Sequence, residues 1–261
     1  MPTADLAAID AVLARAVVYR TLSLGFQTPT DERCRQIGAL DEFRALASAL
    51  RHLDQQAGKG HLEPLAARLA SASGRGVETL ARSFWRLFGH TTRGAVCACE
   101  TEYGSSDGFH QPQQLADISG YYLAFGLKPL ASSEVRPDHI ACECEFMDFL
   151  SRKEALLLAS RRTGPDCEET LEVTRQAART FLRDHLGRFG RAFATRVIAE
   201  EGEGYFGDFG WILLRFLEAE CARVGVESGP ADLVVRADLI DETPMACGTA
   251  DELIQIQRRP P

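Results

Sequence analysis

Asp138 and His139 stand side by side, with Glu143 four residues beyond the histidine. Residues four apart on a helix are neighbours. His139 and Glu143 would therefore share a face, and with His110 from an earlier loop they form a set able to hold a divalent metal for hydrolysis. That chemistry needs a third or fourth protein ligand, and the sequence has neither an HExxH nor an HD pair to supply it. A plainer reading also fits. Pro137 suits a first helical turn, and a carboxylate at Asp138 would accept the unpaired backbone N–H groups of a helix start. Ile140, Cys144, Met147 and Leu150 follow at helical spacing, which puts these polar groups at the edge of a core.

Thiols are the next candidates. Cys97 and Cys99 share a loop with Glu100 and Glu102, and Cys247 lies in the tail, so a three-thiolate metal site is one reading. Structural zinc, however, pairs its cysteines at separations of two to four residues, and neither C-x-C here has a matching second pair. On a helix Cys142 and Cys144 would point about 200° apart, too far to share a metal. Most of the eight cysteines fall in helical patterns rather than turn-rich loops, so reduced, buried thiols are expected.

Among the aromatics, Tyr19, Phe26, Phe84, Phe88 and Tyr121 read as core. Trp85 and Tyr122 differ, because each can line a groove with an apolar body while keeping a polar handle at the rim.

A formal charge of −8 argues against general nucleic-acid binding, which needs Lys and Arg to displace counterions, and favours basic peptides as partners. Apolar runs are short and broken by charges, so no membrane span is expected. The N-terminal MPTADLAAID lacks the basic start and apolar centre of a secretory signal, which makes the cytoplasm the expected compartment. No P-loop occurs, and no cofactor is expected.

The elements that must position these residues are helical. Leu6, Ile9, Leu13 and Val17 make one stripe and Phe43, Leu46, Ala47 and Leu50 another, both expected to face a core. Val77, Leu80, Ala81, Phe84 and Phe88 repeat the pattern before Gly89, as do Leu115, Ile118, Tyr122 and Phe125 before Gly126. Leu171, Thr174, Ala178, Phe181, Leu182 and His185 form a stripe, and so do Phe206, Phe209, Leu213, Leu217 and Cys221. The expected fold is all-α, a single bundle of roughly nine or ten helices over residues 1–224 with an irregular extension over 225–261. Two long connections, 89–112 and 127–136, are candidate functional loops.

The stretch RPDHIACECEFMDFL, with Pro137, Asp138, His139, Ile140, Glu143, Glu145, Phe146 and Met147, resembles the signature of the TorD/DmsD/NarJ family of molybdoenzyme maturation chaperones. RAVVYRTLSLGFQTP, FWRLFG, ETEYG, FLRDHLGRFGRAFA and GDFGWILLRFLEAE fall in the family's order. CETEYGSSDGFHQPQQLADISGYYLAFGL and CGTADELIQIQ look most like chaperones of dimethyl sulfide and ethylbenzene dehydrogenases and of selenate and chlorate reductases. The resemblance implies two helical lobes meeting near residues 127–138. It also implies a non-catalytic chaperone, monomeric or homodimeric, that binds the twin-arginine leader of a molybdenum-containing catalytic subunit precursor. Asp138 and His139 are the residues the family motif assigns to that recognition. Residue type and position add Trp85, Tyr122, Glu102 and Tyr103, with the aromatics covering apolar leader residues and the acids pairing with arginine.

Overall fold

A computed structural model of the chain describes residues 3–57, 61–72, 76–89, 94–104, 111–128, 135–160 and 165–236. His110 and Cys247 lie outside them. The helices are α1 (Thr3–Gly25), α2 (Asp31–Ile37), α3 (Leu40–Ala57), α4 (Glu63–Ala72), α5 (Val77–Phe88), α6 (Gln111–Ala124), α7 (Ile140–Ala159), α8 (Pro165–Phe181), α9 (Gly187–Glu201) and α10 (Tyr205–Val224). A π-helical stretch, Leu182–Leu186, joins α8 to α9. The fold is all-α as expected; among the described residues extended chain pairs only at two isolated antiparallel bridges.

Hydrophobic periodicity explains most of the packing. Ile140, Cys144, Met147 and Leu150 of α7 are no more than 1% exposed, as are Phe206, Phe209, Leu213, Leu217 and Cys221 of α10. Phe146 is the hub of an aromatic cluster, with ring centroids 4.8 Å from Phe181, 5.0 Å from Tyr122 and 5.8 Å from Phe125. Gly89 and Gly126 follow α5 and α6 at φ of 77° and 75°, the left-handed exit that glycine permits.

The expectation for α1 needs correction. Of the predicted stripe Leu6 and Leu13 are 48% and 42% exposed and Ile9 and Val17 only partly buried, while Val12, Ala16, Val18, Tyr19 and Leu22 are buried. The helix packs against α7, α3 and α10 at once, and its many alanines let neighbours approach from several sides. A central helix of this kind has no single apolar face for a periodic reading to find. Arg15 and Tyr19 of α1 both turn to the buried Glu220 of α10, the guanidinium at 3.8 Å and the phenol donating at 3.4 Å.

After α10 the chain continues as an extended strap through Arg236. The Gly229 amide donates to the Gly187 carbonyl at 2.9 Å, and Arg196 donates to the Leu233 carbonyl at 3.1 Å. A Cβ at Gly229 would collide with the Arg188 carbonyl oxygen, so only glycine lets the strap lie this close to α9.

Candidate functional site

Three extended segments meet at the mouth of α7. Cys99 pairs with His139 and Tyr103 with Val235, so the loop 98–104 runs between the lead-in to α7 on one side and the strap on the other. The Glu100 amide donates to the Asp138 carbonyl and the Ile140 amide to the Ala98 carbonyl, both at 2.8 Å. On the other edge the Gly104 amide donates to the Val234 carbonyl and the Arg236 amide to the Glu102 carbonyl, again both at 2.8 Å. A 3₁₀ turn, Glu100–Glu102, turns the loop between these two pairings.

The helix start differs from the sequence expectation. Helix α7 begins at Ile140, and its N-cap is His139, whose Nδ1 accepts the Ala141 amide at 3.1 Å. Asp138, expected to cap, instead reaches across the loop. It is fully buried; one carboxylate oxygen accepts the Thr101 amide at 3.1 Å and the Thr101 hydroxyl at 2.8 Å. Arg136 clasps the same carboxylate from outside, donating through Nε at 3.0 Å and an Nη at 2.9 Å, with a further bond to Glu102 at 3.0 Å. This fork-to-fork geometry is the strong form of a charge-assisted pair. Because burial disfavours the charged imidazole, with Asp138 raising and Arg136 lowering the value, the His139 pKa falls to about 4. The ring is therefore neutral at pH 7, as its acceptor role requires.

A second polar group lies just inside. Glu100 is fully buried, with one oxygen 3.0 Å from His185 Nδ1 and the other accepting from Arg188 at 2.7 Å and 3.2 Å. His185 Nε2 lies 3.2 Å from Asp117. Burial works against the Glu100 charge, but His185 and Arg188 outweigh it and hold the pKa below the usual carboxylate value. Glu143 is also fully buried, beside Glu100. Burial, reinforced by the nearby charges of Glu100 and Asp138, pushes its pKa far above the usual range, so the carboxyl holds a proton.

Of the six proposed recognition residues, five gather at this junction. Asp138 and Tyr103 are wholly buried, and Tyr122 nearly so, with its hydroxyl donating to the Pro137 carbonyl at 2.8 Å. The Tyr103 hydroxyl donates to the Cys97 carbonyl at 2.7 Å. His139 and Glu102 are half-buried. Trp85 belongs to a different cluster, edge-on to Phe84 at 5.1 Å and half-buried on α5. Of the motif residues, Ile140, Glu143, Phe146 and Met147 are core, Pro137 is half-buried and Glu145 faces solvent.

Sequence reading missed Arg136, Thr101, Glu100, His185 and Arg188, which hold the junction together. The arginine directly before the P-D-H triplet was the available signal. Also passed over was a G-x-G-x-x-G spacing at Gly202, Gly204 and Gly207, which joins α9 to α10 rather than a strand to a helix and so lacks the context of a dinucleotide site.

No set of three or more His, Cys, Asp or Glu is placed to hold a metal among the described residues. For the hydrolase reading, the Glu143 carboxyl is protonated and sealed in the core, and His139 spends a ring nitrogen on its cap. Cys99 and Cys142 are poorly nucleophilic. Burial pushes Cys142 up to about 12, and burial with the Asp138 charge pushes Cys99 higher still. A cavity of about 650 Å³ between α3 and α10, lined by Leu53, Asp54, His61, Phe216, Glu220 and Arg223, includes none of the predicted residues.

No helix among the described residues is long and apolar enough to cross a membrane. A comparison with curated proteins found no match. Against protein families, residues 45–195 match the one described as nitrate reductase delta subunit, a span that takes in the whole of α7 and the loop that braces it. That family is one of molybdoenzyme maturation chaperones, not of catalysts. With more than half of its length matched, the chain belongs to the nitrate reductase delta subunit family of NarJ/TorD-type chaperones.

Proposed function

We propose that the protein is a cytoplasmic, system-specific chaperone that binds the twin-arginine leader of a molybdenum-containing catalytic subunit and holds the precursor until its cofactor is inserted. The observation carrying this reading is the carboxylate-bearing junction at the mouth of α7. There Glu102 and Asp138 already hold a guanidinium in a geometry suited to arginine, beside a half-buried histidine. In this reading Glu102, His139 and Trp85 touch the leader. Asp138, Tyr122 and Tyr103 position the segments that carry Glu102 and His139, where the two lobes meet. A leader is a basic stretch followed by an apolar one, and masking both delays export and aggregation. The client class suggested by the flanking motifs is that of dimethyl sulfide and ethylbenzene dehydrogenases and selenate and chlorate reductases, and the chaperone works as a monomer or homodimer.

The test is a pull-down of the client in two forms. The precursor should be retained at one molecule per chaperone chain and the mature form, without its leader, should not. Equal retention of both forms would move recognition to a folded surface of the client.

A further inference from the structure

The strap does something specific to the junction. Residues 234–236 pair with the edge of 102–104 through two backbone hydrogen bonds of 2.8 Å, the pattern by which an added strand completes a sheet edge. Arg236 then turns inward. It is only 8% exposed, with its guanidinium donating to Gln114 at 3.1 Å, and its Nη2 lies 3.8 Å from where a Cβ on Gly104 would sit. The chain thus fills one edge of its own acidic loop with an extended, arginine-bearing segment. Val234, whose carbonyl accepts the Gly104 amide, remains 63% exposed. Further back the strap lies close against α9 at Gly229, and Arg196 donates to the Leu233 carbonyl.

We infer that the 102–104 edge is a docking site for an extended, arginine-bearing peptide, that Val234–Arg236 occupy it in the resting chain, and that a leader arginine displaces Arg236 from it. This rests on the leader-binding reading and adds where the arginine enters and what it must expel. The chemistry of the occupant is set by what sits there now: a backbone that accepts the Gly104 amide and donates to the Glu102 carbonyl, and a guanidinium placed among Gln114 and Gly104. A chain with net charge −8 suits such a basic partner. An occupied site binds with an affinity reduced by the fraction of time it is vacant, so loosening the strap must tighten leader binding.

The full chain and a fluorescent synthetic peptide carrying twin arginines followed by an apolar segment provide the test. Arg236→Ala removes the resident guanidinium, and Gly229→Ala pushes the strap off α9 at Arg188. Each should bind the leader about tenfold more tightly than wild type. Residue-resolved hydrogen exchange on the wild type adds a signature that survives even if a variant misfolds. With leader bound, the Arg236 amide should lose protection while the Gly104 amide keeps it, because its acceptor is replaced and not lost. Leader binding with unchanged protection at Arg236 and affinities within twofold of wild type would overturn the inference and leave the leader reading standing. A variant that dimerises with no gain in affinity would assign the edge to a second copy, also overturning it. No binding by any form would overturn both.

Discussion

Asp138 and Thr101 are 37 positions apart in sequence, yet one Asp138 oxygen accepts both the Thr101 amide and its hydroxyl. This contact ties the loop that carries Glu102 to the lead-in of α7. Asp138→Ala would leave a buried threonine and an arginine without their acceptor, at a cost of about 3 kcal/mol. For a chain of this size that lowers Tm by about 6–12 °C. Thermal unfolding followed by circular dichroism checks it, and a Tm within 2 °C of wild type would show the contact to be incidental.

His139 gives a pH signature. Its folded pKa, about 4, lies below the unfolded value of 6.5, so the folded state keeps a neutral ring where the unfolded chain takes a proton. The contribution is fully present above pH 6.5 and is lost as the pH falls from there towards 4. His139→Asn keeps a capping acceptor without a titrating group and should flatten the stability profile across that window. His139→Ala should cost about 1 kcal/mol at pH 7 as well. Urea unfolding at pH 5 and pH 7 separates the two variants.

Glu143 has the opposite slope. Its folded pKa is raised above the ordinary 4.5, so the unfolded chain releases a proton that the folded chain retains, and stability falls as the pH rises above 4.5. Glu143→Gln is neutral at every pH. Its advantage over wild type should be small at pH 4.5 and larger at pH 8, measured by denaturant unfolding. A wild type that gains on the variant as the pH rises would mean that Glu143 is ionised and paired.

The thiols should be inert. Cys99 is held protonated by burial and by Asp138, and Cys144 by burial beside Glu143. Native protein should therefore react with Ellman's reagent far more slowly at these positions than protein unfolded in guanidinium. Rapid labelling of Cys99 in the native state would show that the loop opens readily.

Helices α7 and α10 were legible at the positions the periodic pattern picked out, all of which are buried. Helix α1 was not, since burial on several sides leaves no single stripe. At the junction the sequence located the motif but placed the helix cap one residue early. Asp138 looked like a cap because local spacing shows only nearby partners, and its real partners come from a loop that folding alone brings close. Arg136 carried the missing information, but a lone arginine in a loop has no pattern to mark it. The irregular course of the strap was legible from its glycine and proline content, but its partners were not: backbone pairing to Glu102 and Gly104 leaves no trace in side-chain periodicity.

Calorimetry with the synthetic leader tests the central claim most directly. The account predicts saturable 1:1 binding per chain in which the apolar segment dominates. Each buried leucine is worth about 1.5–3 kcal/mol, whereas a leader arginine merely replaces one the chain already holds and exposed ion pairs add about 0–1 kcal/mol. Changing two leader leucines to Ser should therefore weaken binding more than changing both arginines to Gln. Absence of leader binding, with the folded mature enzyme binding instead, would contradict it.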